Sequence, residues 1–264
     1  MAREFTVGLL QFGSTLDKSK NLEKISSMLK RVNADVIVIP EYSMFPISTL
    51  TPEEVFNLAE YVDGPYVTGL AKLAREHSTY FLATYFERAQ RPKVFNSASL
   101  ISPSGDVLTT YRKVHLFDAY GYRESDYMMP GSKPSDVIQV KNVNVAVAIC
   151  FDIRFPELFR TYALRGAELV LIPSAWYRGP LKEETLAFLA RARAHENTVY
   201  IALAVQYSPE FTGRSMVVDP LGTVLLDLGI GEKYVEFKID VDYIHEVRKA
   251  LPVLNLRRPE LYQV

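Results

Sequence analysis

The sequence is poor in cysteine, histidine and glycine, and each shortage argues against a class of site. Cys150 is the one cysteine among 264 residues, so no disulfide can form within the chain. The 13 glycines form no GxGxxG or GxxxxGK[ST] phosphate loop, so a nucleotide cofactor has no support. The four histidines are dispersed without a His or Cys partner at ligand spacing: His77, His115, His195 and His245. We therefore expect neither a metal nor a cofactor.

Excess charge and long apolar segments are also lacking. Thirty basic residues stand against 31 acidic ones, giving a net charge of −1, which is unlike the basic footprint of a nucleic-acid binder. No apolar segment approaches the length that spans a bilayer. Residues 1–5 lead into a strand pattern without the apolar region of a signal peptide. We expect a cytoplasmic protein that binds neither nucleic acid nor membrane, in a compartment that keeps a lone thiol reduced.

What is present is an ordinary globular composition, 48% hydrophobic and 23% charged, with a repeated order of elements. An apolar strand pattern closed by proline occurs at residues 35–40 and again at 168–173. Each follows a strand and a helix, and each precedes a helix, a strand and a hairpin. The βαβ units predict that neighbouring strands pair in parallel, and the hairpins predict that other strands pair antiparallel. We expect an α/β fold in which two sheets pack together with helices outside, residues 1–264 forming one domain.

Cys150 follows an apolar run, residues 144–149, that has the small and β-branched side chains of a buried strand. A polar segment with Pro156 comes directly after it. A lone thiol at such a strand end is placed to act as a nucleophile. Most free cysteines are buried packing residues, however, and this stretch alone leaves both interpretations open.

Two further polar residues stand at strand ends. Glu41 directly follows Pro40, and Lys113 ends the second strand of a predicted hairpin. Alone, Glu41 fits a helix cap or a solvated carboxylate, and Lys113 fits a surface lysine. If the three strands are neighbours in one sheet, these side chains converge. A carboxylate could then take the proton of Cys150, while the ammonium and the N–H of Phe151 stabilise an oxyanion.

Other candidates lie near these strand ends. Arg154 could pair with a substrate carboxylate or form a salt bridge with Asp152 or Glu157. Trp176 and Tyr177 follow the second proline-closed strand, where they either wall a pocket or pack a loop.

Three blocks of the sequence resemble the signature blocks of the nitrilase, or carbon–nitrogen hydrolase, superfamily. They are residues 40–42 (Pro-Glu-Tyr), 111–117 (Tyr-Arg-Lys-Val-His-Leu-Phe) and 149–158 (Ile-Cys-Phe-Asp-Ile-Arg-Phe-Pro-Glu-Leu). Supporting blocks occur in family order at residues 192–197, 215–222 and 257–262. These motifs are similar to those of the ω-amidase and aliphatic amidase branch, except that Arg214 stands where that branch usually has histidine.

The resemblance implies roles for four residues. Glu41 would be the general base, Lys113 the oxyanion stabiliser, Cys150 the nucleophile and Glu124 a second active-site glutamate. It also implies a four-layer αββα sandwich, a homodimer or larger homo-oligomer, and no metal or organic cofactor. The expected reaction is hydrolysis of a small aliphatic or ω-monoamide to acid and ammonia through a thioester. A nitrilase, an N-carbamoyl amidohydrolase and an idle binding protein on the same fold stay as alternatives.

Overall fold

The computed structural model describes residues 3–262. The expectation about the start of the chain falls partly on Met1 and Ala2, which lie outside the described residues. The strands are β1 (Glu4–Gln11), β2 (Val36–Val38), β3 (Tyr80–Arg88), β4 (Val94–Ile101), β5 (Val107–Arg112), β6 (Asp118–Ala119), β7 (Tyr122–Arg123), β8 (Ile138–Val140), β9 (Val143–Val147), β10 (Leu169–Ser174), β11 (Tyr200–Val205), β12 (Met216–Val218), β13 (Val224–Asp227) and β14 (Lys233–Asp240). The helices are α1 (Lys18–Met28), α2 (Pro52–Leu58), α3 (Pro65–His77), α4 (Pro156–Leu164), α5 (Lys182–Asn197) and α6 (Tyr243–Ala250).

Most strands belong to two mixed sheets. The first sheet has the order β14-β1-β2-β3-β4-β5, and the second has the order β13-β12-β11-β10-β9-β8. In the first sheet β1, β2 and β3 are parallel, and β4 and β5 follow as antiparallel strands. The second sheet repeats this arrangement, with β9, β10 and β11 parallel and β12 and β13 antiparallel. The predicted echo between the two halves is therefore confirmed.

The two sheets face each other, and helices cover their outer faces. Strands β1 and β2 contact β10 and β11 across the interface. Val36 and Val38 of β2 join the apolar cluster shared with the second sheet, whereas Ile37 points to the cluster that includes α3. Helices α1 and α3 cover the first sheet, and α4 and α5 cover the second. Because both faces are buried, the strands read as continuous apolar runs. This is the expected four-layer αββα sandwich.

Local signals set the ends of several helices. The Asp17 side chain accepts from the first N–H groups of α1, and Thr51 with Glu54 forms the capping box of α2. After α4, Gly166 takes the left-handed conformation that stops a helix, with φ of 88°. Within residues 3–262, none of the helices is both long and apolar enough to cross a membrane.

Candidate active site

The three predicted strand-end residues converge, although not in the way the sequence suggests. Glu41 follows β2 and Lys113 follows β5, which are separated by β3 and β4 in the first sheet. Cys150 follows β9 in the second sheet. The condition of neighbouring strands in one sheet is therefore not met, yet the side chains converge. The residues meet because the carboxyl ends of these strands lie at the same edge of the sandwich, where polar groups gather.

Lys113 is buried between two carboxylates. Its Nζ lies 3.0 Å from Glu41 Oε1 and 2.9 Å from Glu124 Oε2. All three side chains are at most 1% exposed. Such a group can stay charged in the interior only if its partners are close and well aligned. The surface interpretations of Glu41 and Lys113 therefore do not hold.

Backbone and amide groups from both sheets fix the orientation of Glu41. The N–H of Ala175, after β10, donates to Glu41 Oε2 at 2.7 Å, and Asn96 Nδ2 of β4 donates to Oε1 at 2.7 Å. Gln206 Nε2, after β11, donates to the backbone oxygen of Glu41 at 3.0 Å. These bonds hold the carboxylate at the interface between the sheets.

Glu124 follows β7 and begins a 3₁₀ turn, Glu124–Asp126. Besides Lys113, it accepts from the N–H of Phe117 at 2.6 Å and from the Tyr42 hydroxyl at 3.2 Å. Asn96 Nδ2 lies 3.4 Å from Glu124 Oε1, so one amide bridges both glutamates. Glu124 therefore holds Lys113 together with Glu41.

Cys150 occupies a sharp turn. Strand β9 ends at Val147, and Cys150 begins a 3₁₀ turn, Cys150–Arg154, with φ of 44°. Non-glycine residues in this left-handed region are strained and cluster at functional sites. A similar strained elbow presents the nucleophile of many hydrolases. Cys150 is 8% exposed and lines the pocket described below.

Burial and neighbouring charges shift the ionisation of the three groups. Burial raises the pKa of the Cys150 thiol well above its usual value, and Glu41 adds to the rise while Lys113 opposes it. Burial also raises the pKa of Glu41, against the pull of Lys113. Burial alone would lower the pKa of Lys113, but Glu124 and Glu41 raise it well above its usual value. The resting site therefore pairs a protonated thiol with a more basic carboxylate and a fixed ammonium.

A narrow pocket with a cavity volume of about 20 Å³ opens above these groups. Phe151, Arg154, Trp176 and Tyr177, the four residues suggested by the sequence, all line it. The remaining lining residues are Glu41, Tyr42, Lys113, Phe117, Cys150, Ala175 and Lys182. Among residues 3–262, no group of three or more His, Cys, Asp or Glu side chains is arranged to hold a metal ion.

Arg154 makes no ion pair with Asp152 or Glu157 in the described part of the chain. Its guanidinium carbon lies 4.9 Å from the Trp176 ring centroid and 5.7 Å from that of Phe151. Its Nε is buried and lacks a hydrogen-bond partner among residues 3–262. The salt-bridge interpretation is therefore wrong, and the guanidinium faces the pocket with unused donors.

Sequence reasoning missed several residues of the site. Lys182, at the start of α5, lines the pocket with its Nζ 4.1 Å from the Tyr120 ring centroid. Asn96 bridges the two glutamates, and a polar amide inside the apolar pattern of β4 is the signal that could have pointed to it. No comparable signal distinguishes Lys182 from other lysines that start a helix.

A family model and several known proteins match this chain. The family model described as carbon-nitrogen hydrolase matches residues 6–249. The chain is similar to omega-amidase NIT2 of Xenopus tropicalis, with 32% identity over 99% of this chain and 98% of that protein. It is 34% identical to deaminated glutathione amidase of Rattus norvegicus, over 97% of this chain and 83% of that protein.

A solved structure is similar as well. A mutant of the amidase from Nesterenkonia sp. AN1 bears the acetamide moiety of fluoroacetamide covalently on its active-site cysteine. It superposes with a TM-score of 0.81 and 26% identity, over 98% of this chain and 95% of that one. The family match and the relatives confirm the resemblance found in the sequence, and the chain belongs to the carbon–nitrogen hydrolase family.

Proposed function

We propose that this protein hydrolyses small amides to a carboxylic acid and ammonia through a thioester on Cys150. The observation that carries this proposal is the buried contact of Lys113 with Glu41 beside the lone thiol. Amidase activity in the names of similar proteins supports an amide as the substrate. The match spans nearly the whole chain, so we also propose that residues 1–264 act as one catalytic domain.

The first half of the reaction forms the thioester. Glu41 takes the thiol proton, and the sulfur of Cys150 attacks the amide carbon. Lys113 and the N–H of Phe151 stabilise the resulting oxyanion, in a site that excludes most water. Glu41 then gives the proton to the leaving nitrogen, and ammonia departs as the carbon–nitrogen bond breaks.

The second half of the reaction consumes water. Glu41, again a carboxylate, takes a proton from a water molecule that attacks the thioester carbon. The same donors stabilise the second oxyanion, which collapses to the carboxylic acid while the sulfur takes back the proton. Glu124 keeps Lys113 charged and in place throughout, through contacts of 2.9 and 3.0 Å.

Two cations of the pocket that form no ion pair with residues 3–262 favour an acyl group that carries a negative charge. Arg154 has a buried Nε without a partner among the described residues, and Lys182 contacts aromatic rings. A carboxylate can accept two parallel bonds from a guanidinium, which a neutral chain cannot. We propose that amides with a terminal carboxylate are preferred over neutral amides of equal length.

Replacing Arg154 by leucine tests this preference. The ratio of kcat/KM for an ω-monoamide to that for a neutral amide should fall about tenfold or more, because a charge-assisted bond is lost. Arg178→Leu, a change outside the pocket lining, is the control and should leave the ratio unaltered. An unaltered ratio in Arg154→Leu would show that Arg154 does not select the acyl charge.

Ammonia release from a panel of amides, nitriles and ureido acids tests the activity itself. We expect release from the amides, with the highest kcat/KM among carboxylate-bearing ones. A preference for nitriles or for ureido acids would instead identify a nitrilase or an N-carbamoyl amidohydrolase, since the same three groups serve those reactions. Release from none of the compounds would favour an idle binding protein.

The assembly and the location of the protein belong to the same proposal. We propose a homodimer or larger homo-oligomer that packs through its outer helices, in the cytoplasm. Exposed apolar side chains on or beside the helices over the second sheet support this packing, including Leu164, Leu181 and Phe188. The single free thiol supports a reducing compartment.

A further inference from the structure

The nucleophile and the oxyanion-stabilising lysine come from different sheets, so their spacing needs a direct link. Cys150 stands on a turn after β9 of the second sheet, and Lys113 follows β5 at the edge of the first. Glu41 links Lys113 to Ala175 of the second sheet. A direct contact between the turn of Cys150 and the segment of Lys113 would fix the spacing of the two residues further.

Asp152 makes that contact. It lies two residues after Cys150, is fully buried, and accepts hydrogen bonds from both segments. On the side of the nucleophile, Oδ2 accepts from the N–H of Ile149 at 2.9 Å. On the side of the lysine, Oδ2 accepts from the Tyr111 hydroxyl at 2.8 Å, and Oδ1 accepts from the backbone N–H and the Nδ1 of His115 at 3.1 and 2.8 Å.

The partners of Asp152 bracket Lys113 in the chain. Tyr111 precedes the lysine by two residues, and His115 follows it by two. The His115 ring also stacks on Phe155, at the end of the nucleophile's turn, with a centroid distance of 3.6 Å. We call Asp152, Tyr111 and His115 the cross-sheet clasp. It fastens both flanks of Lys113 to the turn that carries Cys150.

We propose that Asp152 is a positioning residue that sets the distance between the Cys150 sulfur and the Lys113 ammonium. The inference rests on the proposed function, because it concerns the spacing of nucleophile and oxyanion donor in acyl transfer. Asp152 does not line the pocket, so it acts through the clasp. A displacement of about 1 Å in such a constellation can cost on the order of 10²-fold in rate.

Two reactions of Cys150 separate positioning from simple loss of structure. Amide hydrolysis needs both the sulfur and the oxyanion donor, whereas alkylation by iodoacetamide displaces iodide and develops no oxyanion. Because the chain has one cysteine, the alkylation rate reports on Cys150 alone. A loosened clasp should therefore slow hydrolysis far more than alkylation, whereas unfolding or a disordered turn should change both.

The test compares Asp152→Asn with Asp219→Asn. The control is also a buried aspartate, which holds the turn after β12 by accepting from the N–H groups of Leu221 and Thr223. In Asp152→Asn, kcat should fall about 10²-fold with little change in KM. The asparagine side chain has one acceptor oxygen, which cannot accept all four hydrogen bonds that the two aspartate oxygens accept. Alkylation should change less than about threefold, and Asp219→Asn should keep both rates.

Gentler variants cover the case in which Asp152→Asn does not fold. Tyr111→Phe and His115→Phe each remove one side-chain donor while leaving an aromatic ring at the position, and each should lower kcat about tenfold with alkylation preserved. Unchanged kcat in all three variants, or a parallel fall of kcat and alkylation, would overturn the inference. Failure of the proposed function would look different, since the unmodified protein would then release no ammonia from amides.

Discussion

Lys113 is the residue on which the charges of the site depend. Its ammonium lies between Glu41 and Glu124, all three at most 1% exposed. Removing one member of a buried ion cluster leaves an uncompensated charge in the interior, which is strongly destabilising. The same ammonium is the donor that we assign to the oxyanion, so stability and catalysis share one side chain.

Lys113→Met should therefore damage both properties. The free energy of unfolding in urea should fall by about 3–5 kcal/mol, because two buried carboxylates lose their cation. The kcat for an amide should fall about 10²- to 10³-fold, as for loss of one oxyanion donor. Adding Glu124→Gln should recover stability without recovering kcat.

The matched control for that experiment is Lys133→Met, which breaks an exposed pair with Asp136. Exposed pairs contribute little, so its unfolding free energy should change by less than about 1 kcal/mol. Equal effects of Lys113→Met and Lys133→Met would show that the buried cluster is not needed for stability.

The pKa of Glu41 should set the acid limb of the pH–rate profile. Its pKa is raised above the ordinary value of 4.5, chiefly by burial, and the mechanism needs its unprotonated form. Activity should therefore rise as pH increases through a midpoint above 4.5 in kcat/KM for a neutral amide. Ionisation of Cys150 should cause no loss of activity below pH 9.0, the usual pKa of a thiol, because burial raises the pKa of Cys150 as well. A midpoint at or below 4.5 would contradict the role given to Glu41.

The sequence predicts the reacting groups better than the residues that position them. Glu41, Lys113 and Cys150 are polar residues that end apolar strands, a pattern visible without a structure. The sequence suggests Asp152 only as a partner for Arg154, whereas Asp152 binds His115 and Tyr111. Contacts between residues about 40 positions apart depend on how the sheets pack, which periodicity does not reveal.

Among the elements, helices carry the clearest local signals in the sequence. Pro156 begins α4, and an amphipathic face defines α6. Pro173 was expected to close its strand but lies inside β10, opposite Ala204. Strands β6 and β7, of two residues each, pair as a small hairpin that no strand pattern in the sequence indicates. Tertiary contacts override local preference at such places.

The end of α4 offers a test at this scale. Gly166 has φ of 88°, and an added Cβ would meet no atom within 4 Å, so backbone strain alone should decide the outcome. Gly166→Ala should lower the free energy of unfolding by about 1–2 kcal/mol. Gly166→Asn should cost less, since asparagine tolerates this conformation, and both variants should keep full activity. Equal losses of unfolding free energy in the two variants would point to a cause other than the positive φ of residue 166.

At the scale of the whole molecule, the two sheets act together. Glu41 and Lys113 come from the first sheet, and Cys150, Ala175 and Gln206 come from the second. The repeated order of elements predicts two similar sheets. It does not say that their carboxyl edges meet, because the packing of one sheet on the other depends on contacts distant in sequence.

The proposed assembly gives a further prediction. Sedimentation equilibrium should show a dimer or a larger even assembly, and Phe188→Glu should weaken it, because Phe188 is 68% exposed on α5. Leu108→Glu, an exposed apolar residue of β5, is the control and should not change the mass. A monomer at every concentration, or dissociation by both variants, would contradict packing through the outer helices.

Mass spectrometry of the acyl-enzyme tests the central claim most directly. The protein is mixed with an amide, quenched in acid, and digested to locate the acyl group. We predict that the acyl group is found on the peptide that contains Cys150, that it is removed by hydroxylamine, and that it is lacking in Cys150→Ala, which releases no ammonia. An acyl group on another residue, or ammonia release by Cys150→Ala at the unmodified rate, would contradict the account.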